Sequence, residues 1–575
     1  MNNLSQSVSG EFKDFAATAE RVGGTAKRLE KAVFLREYFE TLNDSDLKLA
    51  ARFFAGNAFS LSDQRTTNIG GAALFNAVAA VTGVEVDELK RLTVKSGDIG
   101  DTAEKIFQTQ TTANYTLQTV ADFIANVAAT SGTKAKTALL VDFLKPAAHL
   151  EAKYIIKILT GDLRIGLLEG AVEDALARMF DQPVAKVQWT NMLTGDIGET
   201  ALLLRLGQTD TARMRFFHPI KFMLASASDL DDVAKRMPDK FAVEDKFDGI
   251  RAQAHIALPK NLNNDEQDQQ DLENLHGVQV GNVRVALFSR TLDEITMSFP
   301  ELIEPLAKLI KSEPNGLILD GEILPVRDGQ VLPFQDLQKR LGRKTVSDEM
   351  LAHTPVAFVA YDCLFGANEI LINQEFQKRR RILASLEFDG KHTLLTESKI
   401  FDSVAKIDDE FDAARARGNE GLMVKNLSAS YKPGKRGKDW LKIKRAMATL
   451  DVVVTSVEVG SGRRSRFLSD YTFAVRASET DPSLLNVGKA YSGLTDGEVE
   501  ELSNWFRAHT LQEFAHGKVR VVEPKIILEV TFDRVQPSAR HKSGYALRFP
   551  RILRIRTDKP LEEIDTLETV KKLSE

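Results

Sequence analysis

The chain has 575 residues, 43% hydrophobic and 27% charged, which is ordinary for a folded globular protein but too long for one core; roughly two to four domains are expected. The formal net charge of −5 excludes a global basic excess, so a nucleic-acid face would have to be a local basic stripe. A single cysteine, Cys363, excludes an intrachain disulfide and a cysteine-built zinc site.

The N-terminus, MNNLSQSVSGEFKDF, has no basic stretch followed by an apolar core, and no apolar run approaches a membrane span. A cytoplasmic protein without membrane contact is expected, nucleoid-associated if bacterial. Residues 1–213 read as a helical domain: alanine, leucine and lysine are frequent, proline is rare, and apolar residues recur at helical spacing, as in GGAALFNAVAAVTGV. HPIKFMLASAS (218–228) reads as a connector. Residues 214–447 form the next expected domain, in which strand-like runs (FAVEDKF, VRVALFSR, GLILDGEIL, VAFVAYDCLF, GLMVKNL) alternate with helices. That texture predicts an α+β domain on antiparallel sheets. The polar, acidic stretch 259–277 reads as a solvated hairpin insertion with no assigned role. Residues 448–575 are strand-rich again (LDVVVTSVEVG, YTFAVRAS, KIILEVTFDRV), which predicts a small β-barrel of the OB type.

The chemistry concentrates in VEDKFDGIRAQAHI (243–256), where Lys246 stands among Glu244, Asp245 and Asp248. An isolated lysine of this kind is more often a salt-bridged strand end. The sharper reading is a nucleophile, which needs a neutral amine and therefore burial and nearby cations. Gly249 permits a close backbone approach, and Arg251 a forked grip on oxygen. Further along come Arg290 in FSR, Glu322 in LDGEIL, Tyr361 in VAYDCLF, and Glu420 and Lys425 in EGLMVK. Lys442 and Lys444 in WLKIK point to one face of a strand, and RIRTDK (554–559) carries Arg556 and Lys559.

In this order and spacing these elements resemble motifs I, Ia, III, IIIa, IV, V and VI of the covalent nucleotidyltransferases: DNA ligases, RNA ligases and mRNA capping enzymes. YIIKILTGDLRIGLLEGAV (154–172) is similar to the signature of the DNA-binding domain of multidomain ATP-dependent DNA ligases, and SGYALRFPRILRIRTDK (543–559) to the end of their OB domain. The resemblance implies an ATP-dependent ligase that seals 5′-phosphate/3′-hydroxyl nicks in duplex DNA, with an RNA ligase, a capping-type enzyme or a non-catalytic DNA clamp as the competing readings.

By the same resemblance Lys246 becomes lysyl-AMP, Glu244 reads the adenine amino group, Tyr361 stacks on the ring, and Arg251 and Arg290 hold ribose and phosphate oxygens. Lys425 also stands at the nucleotide. Lys442 and Lys444 face the charge growing on the α-phosphate. Glu322 and Glu420 are the candidates for Mg²⁺. Asp248 either orients Lys246 or takes its proton. Arg556 and Lys559 orient pyrophosphate after rotation of the OB domain on linkers near 214–228 and 445–450. Contacts to the DNA backbone are expected from Gly161, Arg164 and Gly166 in TGDLRIG and from Arg463 and Arg464 in GSGRRSRF. The expected state is a monomer on nicked duplex DNA. No glutamine-plus-aromatic docking peptide stands at the N-terminus, which leaves a sliding clamp open as a partner without a motif for it.

Overall fold

The computed structural model describes residues 10–60, 63, 65–107, 114–258, 276–327, 330–332, 337, 340, 346–443 and 448–574. Residues 259–275 of the insertion read at 259–277, and Lys444, lie outside the described residues. The chain divides into two compact units: Met1–Ala58 with Thr66–Ala175 and Ala446–Glu575, and Phe59–Arg65 with Leu176–Arg445.

The N-terminal part of the first unit is helical, as its periodicity predicts. Its centre is the helix His149–Leu159, buried at every position from Glu151 to Leu159. Two lysines on this helix are buried as ion pairs. Lys153 meets Glu104 at 2.8 Å and also Glu20, and Lys157 meets Asp98 at 2.8 Å and Asp101 at 3.0 Å. A cation this deep is tolerated only when paired.

In the second unit, the helices Val184–Thr194 and Ile197–Arg205 precede two sheets. The strands are β1 (Leu224–Ser228), β2 (Phe241–Lys246), β3 (Ile250–Ala257), β4 (Val278–Val280), β5 (Val283–Ser289), β6 (Leu317–Arg327), β7 (Gln330–Val331), β8 (Val356–Gly366), β9 (Glu369–Ile370), β10 (Thr393–Leu395), β11 (Lys399–Phe401), β12 (Gly421–Asn426) and β13 (Arg436–Ile443). One sheet runs β1-β13-β12-β2-β11; the other runs β10-β8-β6-β3-β5-β4, with β7 and β9 on its margins. Both are antiparallel except for one parallel edge pair each, β1 with β13 and β10 with β8.

The chain changes sheets directly after Lys246, between β2 and β3. Alternation on β3 explains its place: Ile250, Ala252, Ala254 and Ile256 enter the main apolar cluster. Gln253 and His255 face the other way and hold the connector. Ile220 N–H donates to Gln253 Oε1 at 2.8 Å, and Phe217 N–H to His255 Nδ1 at 3.0 Å.

The C-terminal part of the first unit is a β region with strands β14 (Thr449–Val459), β15 (Leu468–Arg476), β16 (Leu484–Ala490), β17 (Thr510–Phe514), β18 (Val519–Val522), β19 (Ile527–Thr531), β20 (Arg534–Pro537), β21 (Tyr545–Arg548) and β22 (Arg551–Ile555). β14 is its hub, pairing with β15, β18 and β19. Seven strands form one sheet, and β20 and β21 a separate ribbon. The expectation of a barrel meets a difference here. Among the described residues no pairing joins β16 to β17 or β22, so the sheet does not close.

Candidate active site

Lys246 ends β2, and Glu420 directly precedes β12, the neighbouring strand. Glu420 N–H donates to Lys246 C=O at 2.7 Å, and Lys246 Nζ donates to Glu420 Oε2. The close approach rests on Gly421, opposite Lys246 in register, at φ +152°. A Cβ there would lie 2.7 Å from Ile443 O and 2.8 Å from Phe411 Cε2. Gly249 plays the same part on the other side: a Cβ would sit 2.4 Å from Ile323 O and 2.8 Å from Glu322 Cγ. The glycine read as a close approach therefore brings the loop after Lys246 onto β6, beside Glu322.

A cleft of about 200 Å³ opens around Lys246. Six cations line it (Lys246, Arg251, Arg290, Lys425, Arg436 and Lys442) against three carboxylates, Glu244, Asp245 and Glu322. That excess suits a polyphosphate. Arg290 is exposed at the cleft wall. Tyr361 stands there too, edge-on to Trp440 at 6.4 Å between ring centroids.

On the cleft wall, Glu244, Lys425 and Arg251 have protein partners. Glu244 and Lys425 form an ion pair at 2.6 Å, each side chain 2% exposed. Lys425 Nζ also lies over the rings of Trp440, Tyr361 and Phe376 at 4.4, 4.8 and 4.8 Å. Glu244 Oε1 stays buried without a hydrogen-bond partner among the described residues, as does Trp440 Nε1. Arg251 is forked onto buried Asp320 at 2.6 and 3.1 Å and donates to Met223 O at 2.7 Å. Tyr431 Oη adds a bond to Asp320 at 2.8 Å. Arg251 thus reaches the cleft as an anchored cation. Burial pushes the Glu322 carboxyl up to about 8, with Lys246 and Arg251 opposing and Asp320 and Glu420 adding to the rise.

Asp248 is buried after Lys246 and is not on the cleft wall. Arg556 and Lys559 belong to the C-terminal region, where both hold Asp451: Arg556 at 2.9 Å to each oxygen, Lys559 at 2.6 Å. Gly161, at φ +74°, closes the helix His149–Leu159, with Asp162 N–H returning to Lys157 O at 3.1 Å. Arg164 donates to Gly97 O at 2.6 Å, and the Gly166 carbonyl accepts from Lys31 at 3.0 Å. Arg464 holds Asp496 at 2.9 Å and Leu494 O at 3.2 Å. The side chain of Arg463 lies outside the described residues.

Sequence reasoning missed Asp320, Trp440 and Arg436. The first two had a signal. Asp320 precedes Glu322 by two and Trp440 precedes Lys442 by two, so strand alternation puts each on the same face as the residue already singled out.

The chain is similar to known proteins along most of its length. The model described as DNA ligase N terminus matches residues 11–177, ATP dependent DNA ligase domain 277–444, and ATP dependent DNA ligase C terminal region 464–559. The middle match begins after Lys246. A probable DNA ligase of Koribacter versatilis is 43% identical over 97% of this chain and 96% of its own length. A DNA ligase of Archaeoglobus fulgidus is 32% identical over 98% of each. The solved structure named Pmar-Lig_PreS3 shares the fold, with a TM-score of 0.60 at 18% identity over 94% of this chain and 99% of that one. With full-length similarity at these levels and all three family models matched in order, the chain belongs to the ATP-dependent DNA ligases.

Proposed function

We propose that this chain seals nicks in duplex DNA with ATP through a lysyl-AMP intermediate, Lys246 being the nucleophile. The observation that carries the reading is Lys246 in the wall of a cation-rich cleft, paired with Glu420 and with Glu322 on the same cleft. In the first step the neutral amine of Lys246 attacks the α-phosphorus. A P–N bond forms as the P–O bond to the β-phosphate breaks, pyrophosphate leaves with the bonding electrons, and the nitrogen gives up one proton. Next, an oxygen of the 5′-phosphate at the nick takes the adenylyl group, the P–N bond breaks and the amine regains its proton. Finally the 3′-hydroxyl attacks that 5′-phosphate, and AMP departs with the bonding electrons. Each step relies on positioning and charge neutralisation.

Glu244 has one oxygen pinned by Lys425 and the other open, which fits an acceptor for the adenine amino group. Tyr361 offers its face to the base. Arg251 and Arg290 hold ribose and phosphate oxygens, and Lys442 and Lys444 take the α-phosphate charge. Asp248, buried beside the nucleophile, orients it. Among the described residues no three carboxylate, histidine or cysteine groups gather as a metal cage. Two carboxylates plus phosphate oxygens suit Mg²⁺, which keeps several waters, so Glu322 and Glu420 fit it. Bound there, the ion would supply Lewis-acid neutralisation of phosphate charge.

The reading divides the chain at 1–213, 214–447 and 448–575, and takes the last part as an OB-type domain; its hub strand β14 and strand-rich content support this. Arg556 and Lys559 would orient pyrophosphate once released from Asp451. Gly161, Arg164, Gly166, Arg463 and Arg464 remain the backbone-contacting set, with Arg164 and Arg464 sharing their donors between protein and phosphate. The protein acts as a monomer on nicked duplex DNA. No described helix is long and apolar enough to cross a membrane.

The test is incubation with α-labelled ATP and Mg²⁺ without DNA, then denaturing electrophoresis. Label should stay on the protein in base, leave in acid, transfer to nicked DNA on a chase, and be absent in Lys246→Ala. Protein freed of AMP that takes no label, with GTP and NAD also tried, overturns the reading.

A further inference from the structure

Lys246 and Glu420 are joined by backbone and side chain, and the residues just before them are joined as well. Asn419 Nδ2 donates to Asp245 Oδ2 at 2.7 Å. Arg417 closes the arrangement: its Nε and one terminal nitrogen reach the two oxygens of Asp245 at 2.8 and 2.7 Å, and that terminal nitrogen also reaches Glu410 at 2.8 Å. Glu410, on the helix Ile407–Ala416, accepts from Lys399 at 2.8 and 2.9 Å. Lys399 belongs to β11, which pairs with β2 and puts Lys399 opposite Val243. Arg417 itself ends that helix, its N–H returning to Ala413 O at 3.1 Å. A closed circuit therefore runs from β2 through β11, the helix and the turn 417–420 to β12.

We propose that Arg417, acting through Asp245 and Asn419, is a positioning residue for formation of lysyl-AMP. The inference rests on the reading of Lys246 as nucleophile. Two physical reasons carry it. Lys246 is the last residue of its strand, where backbone order is weakest, and its side chain has much rotamer freedom to lose. In-line attack tolerates little misplacement, so fixing the strand end contributes to rate. Asp245 also lines the cleft, one residue from the nucleophile. With both its oxygens engaged by Arg417 and Asn419, it does not compete with Glu420 for the Lys246 ammonium. Arg417 is not itself on the cleft wall and reaches it only through Asp245, so it acts through its partners.

The test uses the full chain and single-turnover labelling by α-labelled ATP with Mg²⁺. Arg417→Ala should slow lysyl-AMP formation by about tenfold to a hundredfold at saturating ATP, with half-saturation changed by no more than about threefold. Arg417→Lys should recover part of the loss. Arg417→Ala with Asp245→Asn should recover more, because the amide keeps Asn419 as a partner and no longer attracts Lys246. Sealing of a pre-adenylated nick, which needs no attack by Lys246, should stay within about threefold of the parent. A labelling rate within about twofold of the parent, or an equal loss in the pre-adenylated assay, overturns the proposal. Lys246→Ala run alongside separates the two failures: if it labels like the parent, the nucleophile reading fails; if it is silent while Arg417→Ala is normal, only the positioning role fails.

Discussion

Lys425 pins one oxygen of Glu244 at 2.6 Å, and the other has no hydrogen-bond partner among the described residues. Both side chains are almost fully buried, so removing one strands the other. Lys425→Met should destabilise the protein by about 3–5 kcal/mol, read from urea unfolding. Adding Glu244→Gln should recover part of that stability while ATP binding stays weaker than in the parent. Equal stability of Lys425→Met and the parent would show that the pair is not buried in solution.

Glu322 sets a pH dependence. Its carboxyl is raised from 4.5 to about 8, so the uncharged form is favoured in the folded protein at neutral pH. A group raised in this way contributes stability below 4.5 that is lost as pH rises through about 8. Cation binding requires the ionised form, so Mg²⁺ affinity should climb by about tenfold per pH unit below 8 and level off above it. Magnesium-dependent thermal shifts with a non-hydrolysable ATP analogue, from pH 6 to 9, measure this, and Glu322→Gln should abolish the slope.

Acid should weaken the second unit through two rings. Burial lowers His255 to about 3 and His218 to about 4, with Arg215 adding to the fall of His218. His255 Nδ1 accepts the Phe217 N–H, a bond that a protonated ring cannot make. Both depressed groups give stability that is complete above 6.5 and lost as pH falls toward their folded values. Each should contribute a slope of about 1.4 kcal/mol per pH unit between these limits. Urea midpoints from pH 7 to 5 should fall accordingly, and His255→Gln should flatten the curve by its share.

Gly421→Ala should damage both fold and chemistry. The new methyl meets Ile443 O at 2.7 Å on a backbone at φ +152°. A cost of about 2–4 kcal/mol is expected, with lysyl-AMP formation reduced more than tenfold, roughly, as Glu420 shifts away from Lys246. Calorimetry and the labelling assay together check this; a wild-type labelling rate would refute it.

Much of the site was legible in the sequence because strand alternation and glycine punctuation are local properties. Lys246, Glu322, Tyr361 and Lys442, each singled out by its short motif, line one cleft. What long-range partners do with those side chains was not legible. Arg251 is spent largely on Asp320, 69 residues away, and Lys425 on Glu244. Arg164 and Arg464 read as phosphate contacts, and their further bonds to Gly97 O and Leu494 O were not legible, because a guanidinium serves carbonyl oxygen as well as phosphate. Barrel closure likewise depends on which strand edges meet, and no composition encodes that.

The stitching of the connector has a mechanical consequence. Phe217 and Ile220 are bonded to β3, Met223 N–H donates to Tyr431 Oη at 3.0 Å, and Leu224 N–H to Lys435 O at 3.0 Å. A segment fastened at four successive points can carry tension but has no slack with which to bend. It therefore behaves as a tether welded to the strand that follows the nucleophile. Flexing of the chain has to occur outside Phe217–Leu224, and a pull on that tether would be felt first at β3, which begins four residues after Lys246.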